Sequence, residues 1–168
     1  GNNGFRLDGE REFSDAGFAV SGIGDFNADG FDDLLIGAPG ADPDGFRAGA
    51  SYVVFGKAAG FNASLKLSSL DGNNGLILKG LHLDFEVGRF VSDAGDVNGD
   101  GYSDVIIGSP DYDNGHADEG RVFVFLGSGS GPASAPAWTA ESNQANARFG
   151  YAVATAGDVN SDTYSDVI

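Results

Sequence analysis

Asp96-Val97-Asn98-Gly99-Asp100-Gly101-Tyr102-Ser103-Asp104 runs into Val105-Ile106-Ile107-Gly108-Ser109-Pro110, and the chain contains the same arrangement twice more. Asp25-Phe26-Asn27-Ala28-Asp29-Gly30-Phe31-Asp32-Asp33 precedes Leu34-Leu35-Ile36-Gly37-Ala38-Pro39, and Asp158-Val159-Asn160-Ser161-Asp162-Thr163-Tyr164-Ser165-Asp166 precedes Val167-Ile168. Each run reads D-x-N-x-D-x-φ-x-D, where φ is aromatic. Side-chain oxygens fall at positions 1, 3, 5 and 9, and position 7 offers a backbone carbonyl. That is the donor chemistry of a calcium loop, since the ion takes about six to eight hard oxygens. The predicted ligands are Asp25, Asn27, Asp29, Phe31 and Asp33 in the first loop. In the second they are Asp96, Asn98, Asp100, Tyr102 and Asp104, and in the third Asp158, Asn160, Asp162, Tyr164 and Asp166. Three Ca²⁺ sites are expected.

These are not EF-hands. An EF-hand loop needs a bidentate Glu at position 12 and a helix on each side. Position 12 is Ile36 in the first loop and Ile107 in the second. The flanking runs are short, apolar and closed by Gly and Pro, as strands are. Each loop is therefore placed at the turn of a β-hairpin, with the ninth Asp taking the bidentate role. Position 6 requires a sharp turn, which Gly30 and Gly101 supply; Thr163 fills it in the third loop, so that site is expected to be the weakest.

The loops belong to a longer repeat. GNNGFRLDG at 1–9 returns as GNNGLILKG at 72–80, and the same offset of 71 carries Gly17 to Gly88, Asp25 to Asp96 and Gly49 to Gly120. It also lays Ser51–Gly56 on Val122–Gly127. From Asp96 to Asp158 the step is 62, and the shortening falls near Ser128-Gly129-Ser130-Gly131-Pro132, a flexible composition. Each unit reads as four short strands: Phe18–Val20, Leu34–Ile36, Tyr52–Phe55 and Leu76–Leu78 in the first. The second has Arg89–Val91, Val105–Ile107, Val122–Leu126 and Ala137–Thr139. Phe5–Leu7 reads as the fourth strand of a preceding unit and Tyr151–Val153 as the first of a third. No stretch carries helical periodicity, and 28 glycines suit many tight turns.

The order of these features resembles the FG-GAP repeat family, the blades of the integrin alpha-subunit β-propeller and of many bacterial surface and secreted proteins. Phe149-Gly150 matches the family's FG, and Gly37-Ala38-Pro39 its GAP. Ala16-Gly17 and Val87-Gly88 replace FG in the first two units, and Gly108-Ser109-Pro110 replaces GAP in the second. The resemblance covers nearly the whole chain. It implies an all-β fold of propeller blades, each of four antiparallel strands, with the calcium loops on one rim. The expected division is the outer strand of a preceding blade at 1–9, blade 1 at 10–80, blade 2 at 81–140 and the first half of a third blade at 141–168. Two complete blades thus lie between partial ones.

A net charge of −16 argues against nucleic acid or an anionic membrane as a direct partner. Asp outnumbers Glu twenty to five, and nine of the Asp occupy positions 1, 5 and 9 of the loops, which ties the acidity to calcium rather than to a halophilic surface. There is no Cys and no run long enough to span a membrane as a helix. His82 and His116 have no metal-ligand spacing, no G-x-S-x-G elbow is present, and Asn62-Ala63-Ser64 is a sequon of the kind that arises by chance. No catalytic constellation emerges, and an enzyme is not expected. The expected role is a calcium-binding propeller module of a larger extracellular or cell-surface protein, in structural or adhesive binding of a protein or glycan, with a bacterial source. Two alternatives are a non-catalytic propeller attached to a secreted hydrolase and a subunit that self-assembles into a ring or filament. Neighbouring blades, in this chain or in other copies, are the immediate partners, because two blades do not close a ring.

Overall fold

The computed structural model describes residues 4–43, 48–79, 86–131 and 133–168. His82 and the blade boundary placed at residues 80 and 81 lie outside them. Two four-stranded antiparallel sheets dominate. The first is built from β2 (Ala19–Gly22), β3 (Leu34–Ala38), β4 (Ala50–Val54) and β6 (Gly75–Lys79) in that spatial order. The second is built from β7 (Phe90–Gly95), β8 (Asp104–Ser109), β9 (Arg121–Phe125) and β10 (Trp138–Glu141). Each is a meander, the form a propeller blade takes. Registers repeat with the sequence: Val20 faces Ile36 in blade 1, and Val91 faces Ile107 in blade 2. A third hairpin, β11 (Thr155–Gly157) with β12 (Asp166–Val167), begins another blade.

Period-2 alternation sends successive side chains to opposite faces of each sheet, and both faces of the inner strands are apolar, so blades stack face to face. Leu35, Val53 and Leu78 on one face of blade 1 pack with Val105, Ile107, Phe123 and Phe125 of blade 2. The opposite face of blade 2, with Ile106, Val122 and Val124, meets Val153 and Val167 of the third hairpin. The glycines of the repeat permit this approach. A Cβ on Gly37 would stand 1.9 Å from the Gly88 carbonyl oxygen, and one on Gly108 would stand 2.0 Å from that of Gly150. Parallel bridges Gly49↔Val87 and Gly120↔Phe149 then tie each blade to the next.

Three local expectations change. β1 (Arg6–Asp8) does not stand in a four-stranded sheet; it pairs in parallel with β5 (Ser64–Lys66). β5 and the 3₁₀ turn Leu67–Ser69 after it were not expected at all. Their apolar residues Leu65, Leu67 and Leu70 cover the outer face of blade 1, with Phe61 stacked on Phe5 at 4.0 Å. In the third hairpin the first strand is Thr155–Gly157 rather than Tyr151–Val153. Counted by the repeat, the residues that would pair with Tyr151–Val153 fall after Ile168.

Candidate metal centres

Each nine-residue loop closes one hairpin: β2 to β3, β7 to β8, and β11 to β12. Within the loops the first carboxylate gathers the backbone. Asp25 Oδ1 accepts from the Asp29 N–H at 3.0 Å and Oδ2 from that of Gly30 at 2.9 Å. Asp96 repeats this with Asp100 and Gly101 at 3.1 and 2.8 Å, and Asp158 with Asp162 and Thr163 at 3.0 and 2.9 Å. The third-position amide oxygen accepts from the fifth N–H: Asn27 from Asp29 at 3.1 Å, Asn98 from Asp100 at 2.9 Å, Asn160 from Asp162 at 2.8 Å. The fifth carboxylate accepts from the seventh N–H at 3.0 Å in all three, from Phe31, Tyr102 and Tyr164. Such turns need left-handed residues. Position 6 is Gly30 at φ +87°, Gly101 at +88° and Thr163 at +78°, and position 4 is left-handed as well, at Ala28, Gly99 and Ser161.

The ninth Asp has a task the sequence did not disclose. Asp33 is fully buried, and its two oxygens accept from the N–H groups of Phe26 at 3.0 Å and Gly56 at 2.8 Å. Asp104 is equally buried and bonds Val97 and Gly127, both at 2.8 Å. This carboxylate pins its loop to the end of the third strand of its blade. The equivalence of Gly56 and Gly127 was visible in the repeat, but nothing local marked them as donors. Asp166 has the bond to Val159 at 2.9 Å and is only half-buried. Burial pushes the Asp33 and Asp104 carboxyls up to about 6; their backbone donors oppose that, and the neighbouring carboxylates Asp29 and Asp25, or Asp100 and Asp96, add to it.

Successive loops also touch. The Ser103 N–H at position 8 of the second loop donates to the Asp25 carbonyl of the first at 3.4 Å, and Ser165 donates to Asp96 at 2.8 Å. The Ser165 hydroxyl accepts from the Asp96 N–H at 3.1 Å. A Cβ on Gly99 would stand 2.5 Å from the Tyr164 ring, so the aromatic of one loop lies across the preceding one.

The donor set suits a hard cation. Asp25 and Asp29 both repel the charge on Asp33, so the three carboxylates lie within electrostatic reach of one another. An ionised carboxylate has about four lone-pair sites, and the backbone bonds occupy only part of them. Among the described residues no three acidic or histidine side chains are closed around one point, because the loop carboxylates are turned onto backbone N–H groups. The other donors of the motif are an amide and a main-chain carbonyl. The bidentate role expected of the ninth Asp must use lone pairs that Phe26 and Gly56, or Val97 and Gly127, leave over.

Residues 16–54 and 91–125, which hold the first hairpin loop of each blade and the two strands after it, match the FG-GAP repeat family. The chain is an FG-GAP repeat protein. It is 35% identical to integrin alpha-6 of Homo sapiens over 96% of its length, 40% identical to integrin alpha-IIb of Homo sapiens over 97%, and 33% identical to integrin alpha-5 of Xenopus laevis over 98%. It spans 13%, 15% and 15% of those three proteins. All three are animal proteins, which gives the bacterial source expected from the sequence no support. Among the described residues of this FG-GAP chain, no helix is long and apolar enough to cross a membrane.

Proposed function

We propose that the chain is a calcium-binding β-propeller module of a larger extracellular or cell-surface protein, engaged in adhesive or structural binding rather than catalysis. The observation that carries this reading is the same backbone scaffold, built three times around the same oxygen donors and joined loop to loop. Likeness to integrin alpha subunits supports the adhesive part. Asp25, Asn27, Asp29, Asp33 and the Phe31 carbonyl would hold one ion, with their repeat equivalents holding two more. A bound cation would supply positive charge to a rim whose carboxylates otherwise repel one another.

Extracellular calcium modules bind at about 10⁻⁴–10⁻³ M. At ten to twenty times such a constant, linkage adds about 1.4–1.8 kcal/mol of stability per site. Protein shown to begin metal-loaded should therefore melt several degrees lower after excess chelator and recover with calcium. A melting curve indifferent to both treatments contradicts the reading.

A further inference from the structure

Residues 55–74 join β4 to β6 in blade 1, whereas the shorter stretch 126–137 joins β9 to β10 in blade 2. In blade 1 the longer connection lies back along the blade. Its β5 pairs with β1 in the register Arg6↔Ser64, Leu7↔Leu65, Asp8↔Lys66, and Leu67 and Leu70 close over Tyr52 and Val54. The repeat lays Leu7 and Asp8 on Leu78 and Lys79, and Tyr52 and Val54 on Phe123 and Phe125. Around these second members no strand among the described residues is equivalent to β5. A cavity of about 220 Å³ remains, lined by Lys79, Val87, Phe123, Phe125, Ala135 and Pro136. Its floor is buried and aromatic, and its mouth is framed by the exposed Lys79 and Ala135.

We propose that this cavity is a docking groove for an extended segment of a partner protein, which adds in parallel to the outer edge of β6 as β5 adds to β1. β6 is the outermost strand of its sheet, and no strand among the described residues pairs with that edge. Strand addition of this kind draws affinity from main-chain bonds and specificity from pockets that take alternate side chains. The occupant's chemistry follows from blade 1. Leu65 and Leu67 show that apolar residues two apart fill the space, and an apolar void larger than about 150 Å³ holds at least a benzene-sized group. Across the pair, Lys66 stands opposite Asp8. Lys79 takes the place of Asp8 in the second groove, so the charge inverts, and the partner segment reads apolar–acidic–apolar. The proposal rests on the partner-binding role above, but not on calcium.

The test uses two labelled peptides spanning Phe61–Asp71, one native and one carrying K66E, titrated by fluorescence anisotropy with the protein in millimolar calcium. The K66E peptide should saturate with a Kd below about 1 mM, and the native one should bind up to about fivefold more weakly, the size of one cross-strand charge pair. In K79E protein the order should reverse, and A135W should abolish binding of both by filling the groove. If A135W does not fold, K79E, a surface change, decides alone. Failure of both peptides to saturate, or affinities unmoved by the variants, overturns the proposal. So does concentration-dependent dimerisation that the peptides compete away, since the occupant would then be a second copy. A calcium titration of the same sample reports separately on the metal reading.

Discussion

Thr163 concentrates the difference between the third loop and the other two. Its φ of +78° lies where the first two loops place glycine, and a β-branched residue there is strained by about 1–2 kcal/mol. T163G is expected to raise the melting temperature and to tighten the third site by up to about tenfold; a calcium titration that does not distinguish it from the parent protein contradicts this. The strain was legible in the sequence, because spacing alone put Thr at the glycine position. The role of the ninth Asp was not, because its donors Gly56 and Gly127 lie 23 residues downstream in each case. That role has a pH signature. Asp33 and Asp104 ionise at about 6 in the fold, against an ordinary value of 3.8, because burial disfavours their charge. The folded state therefore holds more protons than the unfolded one between those values. In chelator, these two groups should make the protein more stable as pH falls from about 6 to about 4, and the slope should flatten in a D33N/D104N variant. Urea melts at the two pH values check both the sign and the variant.

The strands were legible wherever local pattern determined them. Alternating apolar runs between Gly and Asp turns gave β3, β4, β8 and β9 to within two residues at either end. β5 escaped, because a three-residue strand in parallel pairing with residues far upstream has no hairpin turn to announce it. The motif glycines were visible as letters, but their physical reason emerged only with the blades in place. Each inter-blade contact sets one glycine against the carbonyl of another, with no room for a methyl group. G108A should lower stability by about 2 kcal/mol or more, since backbone on both sides must shift. A Cβ added at Gly22 would meet no atom within 4 Å, and its φ is not positive, so G22A should be close to neutral. Thermal melts of the two variants make the comparison, and equal effects would show that the contact does not govern blade packing.

Across the whole molecule, stacked blades bring the three acidic loops into one connected series, Asp25 to Ser103 and Asp96 to Ser165. A chain of net charge −16 holds nine of its aspartates at these loop positions, and without a counter-charge they repel one another by a few kcal/mol at an effective dielectric of about 20. The outer faces of the stack carry exposed apolar side chains, Phe18 and Val20 on one side and Tyr151 and Val159 on the other. Blade packing and charge thus meet at the rim, where a bound cation would relieve the repulsion. Calorimetric titration of metal-stripped protein with calcium addresses that point most directly. Saturable binding that approaches three ions per chain is expected, with two sites of similar affinity and a weaker third. Heats that show no saturable binding up to about 10 mM calcium, an order of magnitude above the range for such modules, would contradict it.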